Sequence, residues 1–225
     1  MRRKIFLVVA LIGGFLLAVA LTVSAVHGPR AVPEVEGRLV YEDTFDRESP
    51  GPDYLQGQPD LNWKAGTWRI DGGRLVAEQI HNAALWLQVP LPEKVRIDVD
   101  VRAETDLGDV KVEVFGDGKT HQSGYIAIMG GWKNTVNCLA RRDEHSEERK
   151  RDSRCGPGNR CVERDLDYHW TFIRTDNVLR WYVDGQLFLV YDDAFPVLGR
   201  HFAFNNWEAK GSFDNLRIYD LAAAP

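Results

Sequence analysis

The chain has 225 residues, a formal net charge of −5, 27% charged residues of both signs and 44% hydrophobic residues. That mixed, slightly acidic balance excludes the basic face that nucleic-acid binding needs, and the length is ample for one domain with its own core. The three cysteines, Cys138, Cys155 and Cys161, lack the close-paired spacing of a zinc ribbon.

Arg2-Arg3-Lys4 precedes an almost unbroken apolar run from Ile5 to Val26. The run nearly matches the ~20 apolar residues that span a bilayer and exceeds the ~7–15 of a usual signal-peptide core. Val23-Ser24-Ala25 nevertheless has the small residues of a cleavage site. Residues 1–27 are therefore a signal anchor or a signal peptide. Both readings place everything after Val26 outside the cytoplasmic membrane, secreted after cleavage or anchored by residues 5–26, with the membrane then a partner. Residues 28–38, with Pro29, Pro33, Gly28 and Gly37 and no periodicity, read as a linker. Residues 39–222 form one domain.

Strand signals then recur, with turn residues between them and no helical period. Leu39 to Phe45 is the first. Gly66 to Ile70 and Arg74 to Glu78 flank Asp71-Gly72-Gly73 as a hairpin, and Ala84 to Val89 follows. Lys94 to Glu104 alternates strictly, with Val95, Ile97, Val99, Val101 and Ala103 on one face and Asp98, Asp100, Arg102 and Glu104 on the other. Val110 to Phe115, Gly124 to Met129 and Thr135 to Arg141 continue the pattern; on the last, Asn137, Leu139 and Arg141 share a face opposite Cys138 and Ala140. Arg142 to Arg164 is dense in charge and reads as a long solvated loop. Within it Cys155-Gly-Pro-Gly-Asn-Arg-Cys161 turns back on itself, which favours a Cys155–Cys161 disulfide in an exported protein; Cys138 reads as a small buried hydrophobe.

The C-terminal part fixes a hairpin. Asp184-Gly185 supplies the two positive-φ residues of a type I′ turn, which sets Val183 opposite Gln186, Trp181 opposite Phe188 and Leu179 opposite Val190. Tyr168 to Arg174, a run around His201-Phe-Ala-Phe and Gly211 to Tyr219 complete the strands. The sum is an all-β, two-sheet antiparallel sandwich of the jelly-roll kind, with Trp181 and Phe188 pointing between the sheets.

The order of Glu42-Asp-Thr-Phe, Trp68 with Asp71-Gly72-Gly73-Arg-Leu, Trp181-Tyr-Val-Asp-Gly and the closing Phe213-Asp-Asn-Leu-Arg-Ile resembles the concanavalin A-like lectin/glucanase superfamily. Within it, laminin G-like and 3-keto-disaccharide hydrolase-like jelly rolls are most similar. The resemblance covers roughly Leu39 to Leu221. It implies a two-sheet jelly roll; many such domains bind glycans on the concave sheet or its edge loops, and some cleave them.

No catalytic residue emerges. The Glu-x-Asp-x-(x)-Glu strand triplet of the glucanase branch is missing; its nearest approach, Asp98-Val-Asp100 with Glu104, is interleaved with Arg96 and Arg102 as in a solvated sheet face. The binding signals are aromatics beside amides and charges, which suit the flat face and hydroxyls of a sugar. One group is Trp132 and Asn134 with Asn137, Arg141 and Tyr125. The other is Asn205, Trp207 and Glu208. The plainer alternative is that both tryptophans plug the sandwich edge. The resemblance also raises calcium, for which Asp43 and Asp214 would supply oxygen ligands if the first and last strands pair. The histidines show no ligand spacing. The reading is therefore a glycan or envelope-polysaccharide binding module. The alternatives are a glycan-cleaving hydrolase and a protein-interaction module using Arg142 to Arg164.

Overall fold

A computed structural model describes residues 31–60, 62–152, 155 and 160–222. In chain order the elements are β1 (Arg38–Asp43), β2 (Tyr54–Gln56), β3 (Thr67–Asp71), β4 (Arg74–Glu78), β5 (Leu85–Leu87), β6 (Val95–Ala103), β7 (Val110–Gly116) and β8 (Tyr125–Gly130). A single helical turn α1 (Gly131–Asn134) leads to β9 (Val136–Arg141), β10 (Lys150–Asp152), β11 (Asp167–Arg174), β12 (Val178–Val183), β13 (Gln186–Asp192), β14 (His201–Asn206) and β15 (Lys210–Asp220). The strands form two antiparallel sheets. The larger runs β13-β12-β11-β6-β15-β4-β3, with β1 also on β15; the smaller runs β10-β9-β8-β7-β14-β5-β2.

The alternation expected of β6 places Val95, Ile97, Val99, Val101 and Ala103 in the inter-sheet core, all fully buried. They meet Trp170, Phe172 and Trp181 from the same sheet and Val110, Val112 and Val114 from the other. Burial of each such side chain contributes about 1.5–3 kcal/mol, so β6 and β7 are a large share of what holds the sheets together.

The hairpin at Asp184-Gly185 forms, but its pairing departs from the two-residue arithmetic. Val183 faces Gln186 and Tyr182 faces Leu187, and then the register shifts, so that Trp181 faces Leu189 and Leu179 faces Tyr191. Phe188 is the extra residue of a bulge. It still packs against Trp181, with ring centroids 4.8 Å apart. The shift turns Leu189 and Tyr191 into the core in place of Val190, because a bulge exchanges the faces of all residues beyond it.

Two other expectations change. The segment Arg142 to Arg164 is not solvated throughout: β10 pairs with β9, and Glu144 is buried. As expected, the Cys155–Cys161 disulfide is present and Cys138 is free and buried. Part of the linker is docked: the Val32 amide donates to the Gly185 carbonyl at 3.1 Å, and Ala31 bridges to Gln186. The apolar run 5–26 lies outside the described residues. Among the described residues no helix is long and apolar enough to cross a membrane.

Candidate functional site

The outer face of the smaller sheet carries what its alternation sends away from the core. On β7 these are Lys111 and Glu113, and on β14 Ala203 and Asn205. On β8 and β9 they are Ile126, Ile128, Cys138 and Ala140, which form a second apolar cluster with Trp132 and Val136. Such a face is normally wet. Here two loops fold over it, one bringing His121 and the other Glu144, so that Lys111, Glu113 and Asn205 are almost fully buried.

Burial forces these polar groups to satisfy one another. Lys111 Nζ donates to Asn82 Oδ1 at 2.9 Å and to Glu144 Oε2 at 3.0 Å, and stands 3.6 Å from Asp109 Oδ1. Glu113 lies 2.7 Å from His121 Nδ1 and accepts from Asn205 Nδ2 at 2.8 Å and from the Gln122 amide at 3.0 Å. Burial by itself would lower the Lys111 pKa, but Asp109 and Glu144 override it and hold the ammonium form. Burial likewise pushes Glu144 up, and Lys111 and His121 outweigh it, so its carboxyl stays below the usual range. For Asp109 burial wins over the pull of Lys111, and its pKa is pushed up to about 6.

Above this floor lies a cleft of about 400 Å³, with Trp132, Lys133, His145 and Leu107 on its sides together with Trp207 and Glu208, and Asn82, Asp109, Lys111, Glu144 and Ile128 beneath. Each tryptophan is braced. Trp132 is edge-on to His145 at 5.5 Å and has the Arg149 guanidinium over its ring at 4.6 Å. Trp207 meets Trp63 at 5.4 Å and His81 at 5.3 Å, and those two stack on each other at 4.5 Å. Trp132, Lys133 and Asn134 all have left-handed φ, 52°, 60° and 64°, a conformation costly for non-glycine residues unless neighbours impose it. Asn134 is the imposing contact. Its Oδ1 accepts the Cys161 and Val162 amides, both at 2.9 Å, and its Nδ2 donates to the Val162 carbonyl at 2.8 Å.

Of the residues expected in a site, the structure brings Trp132, Trp207 and Glu208 to one cleft. The others stand elsewhere or are already engaged. Asn134 is the clamp just described. Asn137 is buried and accepts the Gly130 amide at 2.9 Å. Tyr125 and Arg141 both bind Asp193, at 2.8 Å and 2.7 Å, on the core side of the sheet. Asn137, Leu139 and Arg141 do share a face, as alternation predicts, but it is the inner one. Strand β8 is apolar on both sides, so the pattern could not tell inside from outside. Asn205 lies beneath the floor, on Glu113.

β1 and β15 pair, yet Asp43 is held by both terminal nitrogens of Arg47 at 2.6 Å and 2.7 Å and by Tyr54, while Asp214 sits 3.6 Å from Arg74. Among the described residues no group of three or more His, Cys, Asp or Glu is arranged to hold a metal ion. Asp98 and Asp100 lie on the outer face of the larger sheet, tied to Arg96, Thr171, His169 and Asn215.

Sequence reasoning missed Lys111, Asp109, Glu144, Asn82, His81 and Trp63. One signal was present: Asp109-Val-Lys111-Val-Glu113 places three charges on one face of a strand that is otherwise core.

No protein-family model matches this chain, and no curated protein sequence matches it. Solved structures do. SCLam, a non-specific endo-β-1,3(4)-glucanase of family GH16, is 15% identical with a TM-score of 0.58, over 86% of this chain and 94% of its own. The catalytic domain of an endo-1,3-β-glucanase (laminarinase) from Thermotoga petrophila is 12% identical with a TM-score of 0.58, over 83% and 98%. The carbohydrate-binding module CBM66 from Bacillus subtilis is 14% identical with a TM-score of 0.57, over 76% and 98%. The fold is the concanavalin A-like sandwich.

Proposed function

We propose that this domain works outside the cytoplasmic membrane as a glycan-binding module and does not cleave its ligand. The observation that carries the reading is that two braced tryptophans, distant in sequence, flank one cleft with a hydrogen-bonding floor. Tryptophan faces pack on sugar C–H surfaces, and the volume matches a small saccharide. Similar structures that include a carbohydrate-binding module and glucanases add weight to a glycan ligand. A disulfide supports export, and residues 5–26 are proposed as the tether or the cleaved leader.

One observation favours hydrolysis. Asp109 and Glu144 converge under the cleft with pKa values pushed apart, the arrangement that separates an acid from a base. Lys111 argues against it: one buried ammonium faces both carboxyl groups, and Asp109 Oδ1 is buried away from the cleft surface. A glycosidase pair must reach opposite sides of the scissile bond.

The test is glycan-array binding followed by calorimetry, with Trp132→Ala and Trp207→Ala. Each truncation is expected to weaken binding at least about tenfold, or about 1.4 kcal/mol. Binding unchanged in both variants, or no glycan bound at all, would refute the reading. Release of reducing ends that Glu144→Gln abolishes, with binding retained, would replace it by hydrolysis.

A further inference from the structure

The cleft and the point where the linker meets the domain lie at one end of the sandwich. The connection from β6 to β7, which carries Leu107 and Asp109, closes that end, as does the connection from β14 to β15, which carries Trp207 and Glu208. Following antiparallel pairing across the larger sheet, the end of β6 at Arg102 faces the start of β11 at Asp167. Trp170 of β11 in turn faces Val183 of β12, so the Asp184-Gly185 turn is at that end too. There Ala31 and Val32 are pinned. Three of the exposed large apolar side chains, Trp63, Leu107 and Leu166, belong to the same end, while Leu39, Phe195 and Leu198 belong to the opposite one.

Only five residue steps separate Val26, the last residue of the apolar run, from Ala31. Fully extended they reach ~18 Å. The sandwich itself is longer, since the nine residues of β6 alone run ~30 Å. If residues 5–26 stay in the bilayer, the pinned end is the near one.

We infer that the domain stands with its cleft end toward the membrane, so that its ligand is a glycan borne by the membrane surface, such as a lipid-linked saccharide headgroup. The inference rests on the glycan reading for its ligand but not for its geometry. Trp63, Leu107 and Leu166 are then interfacial contacts, the role amphipathic and apolar side chains take at headgroup level. Tethering also raises the effective concentration of the cleft for anything in the same surface and does nothing for a soluble glycan.

The experiment uses the full chain in phosphatidylethanolamine–phosphatidylglycerol vesicles containing headgroup-labelled rhodamine lipid. A donor dye is placed at Leu166→Cys or at Leu198→Cys, both exposed and outside the cleft floor. Energy transfer from the Leu166 position is expected to be at least about threefold stronger, and a flexible insertion of about 20 residues between Gly28 and Pro29 is expected to remove the difference. Equal or stronger transfer from the Leu198 position, or loss of the protein from the vesicles on carbonate washing, would overturn the inference. Trp132→Ala is expected to leave the transfer unchanged while weakening glycan binding, so a failure of the glycan reading is separable from a failure of orientation.

Discussion

Lys111→Met is the most informative single change in this molecule. The side chain is 1% exposed and its ammonium faces Glu144 at 3.0 Å and Asp109 at 3.6 Å. It also donates to Asn82 at 2.9 Å. Methionine keeps the unbranched apolar stem and removes the ammonium, so the perturbation is chiefly the loss of the charge and its hydrogen bonds. Removing one partner of a buried ionic set costs about 3–5 kcal/mol, because the remaining carboxylates are left desolvated and facing each other. In a domain of this size each kcal/mol moves Tm by about 2–4 °C, so a fall of about 6–20 °C is expected.

The penalty has a pH signature. Lys111 is the largest pull keeping Glu144 below the usual carboxylate range, and its loss lets burial raise that pKa. An acid whose folded pKa is raised destabilises the fold above its unfolded pKa and stops doing so as protonation proceeds. The deficit of the variant is therefore greatest near pH 7–8 and shrinks toward pH 4. Urea unfolding at pH 5 and pH 7.5 measures both. A deficit under about 1 kcal/mol at pH 7.5, or one that grows on acidification, would refute the account of the floor.

Elsewhere, His169 has its pKa raised to about 9, first by the Asp100 hydrogen bond and then by Asp98. A raised basic group stabilises fully below its unfolded pKa near 6.5 and loses that contribution as pH rises through 9, so wild-type stability should decline across this window and His169→Gln should flatten the decline. The ring is half-exposed, and the effect is accordingly small; urea midpoints at pH 6 and pH 9.5 read it. Asn134→Ala removes the clamp on the Cys161–Val162 backbone and leaves alanine at a φ of 64°. A loss of about 1–3 kcal/mol is expected, with a red shift in Trp132 emission as its turn loosens. An unshifted spectrum would show that the turn holds without the clamp.

The chain by itself determined the architecture. Strict alternation on β6 named five core residues that are all fully buried, and Asp184-Gly185 placed a hairpin where one stands. It also marked Trp132 and Trp207 as two loop tryptophans beside polar residues, and both reach the cleft. These features are local: period two follows from the pleat, and turn type follows from two residues. What sequence left open was which side of a strand faces in when both sides are apolar, as on β8, and so Tyr125, Asn137 and Arg141 were grouped with the wrong face. The floor was decided only in three dimensions. Glu144 and Asn82 come from separate segments, 33 and 29 positions away from Lys111, and each is polar for a partner that only folding supplies. A buried charge is tolerated only where its counter-charges gather round it: Asp109 stands two residues from Lys111, but Glu144 and Asn82 reach the ammonium only through the fold.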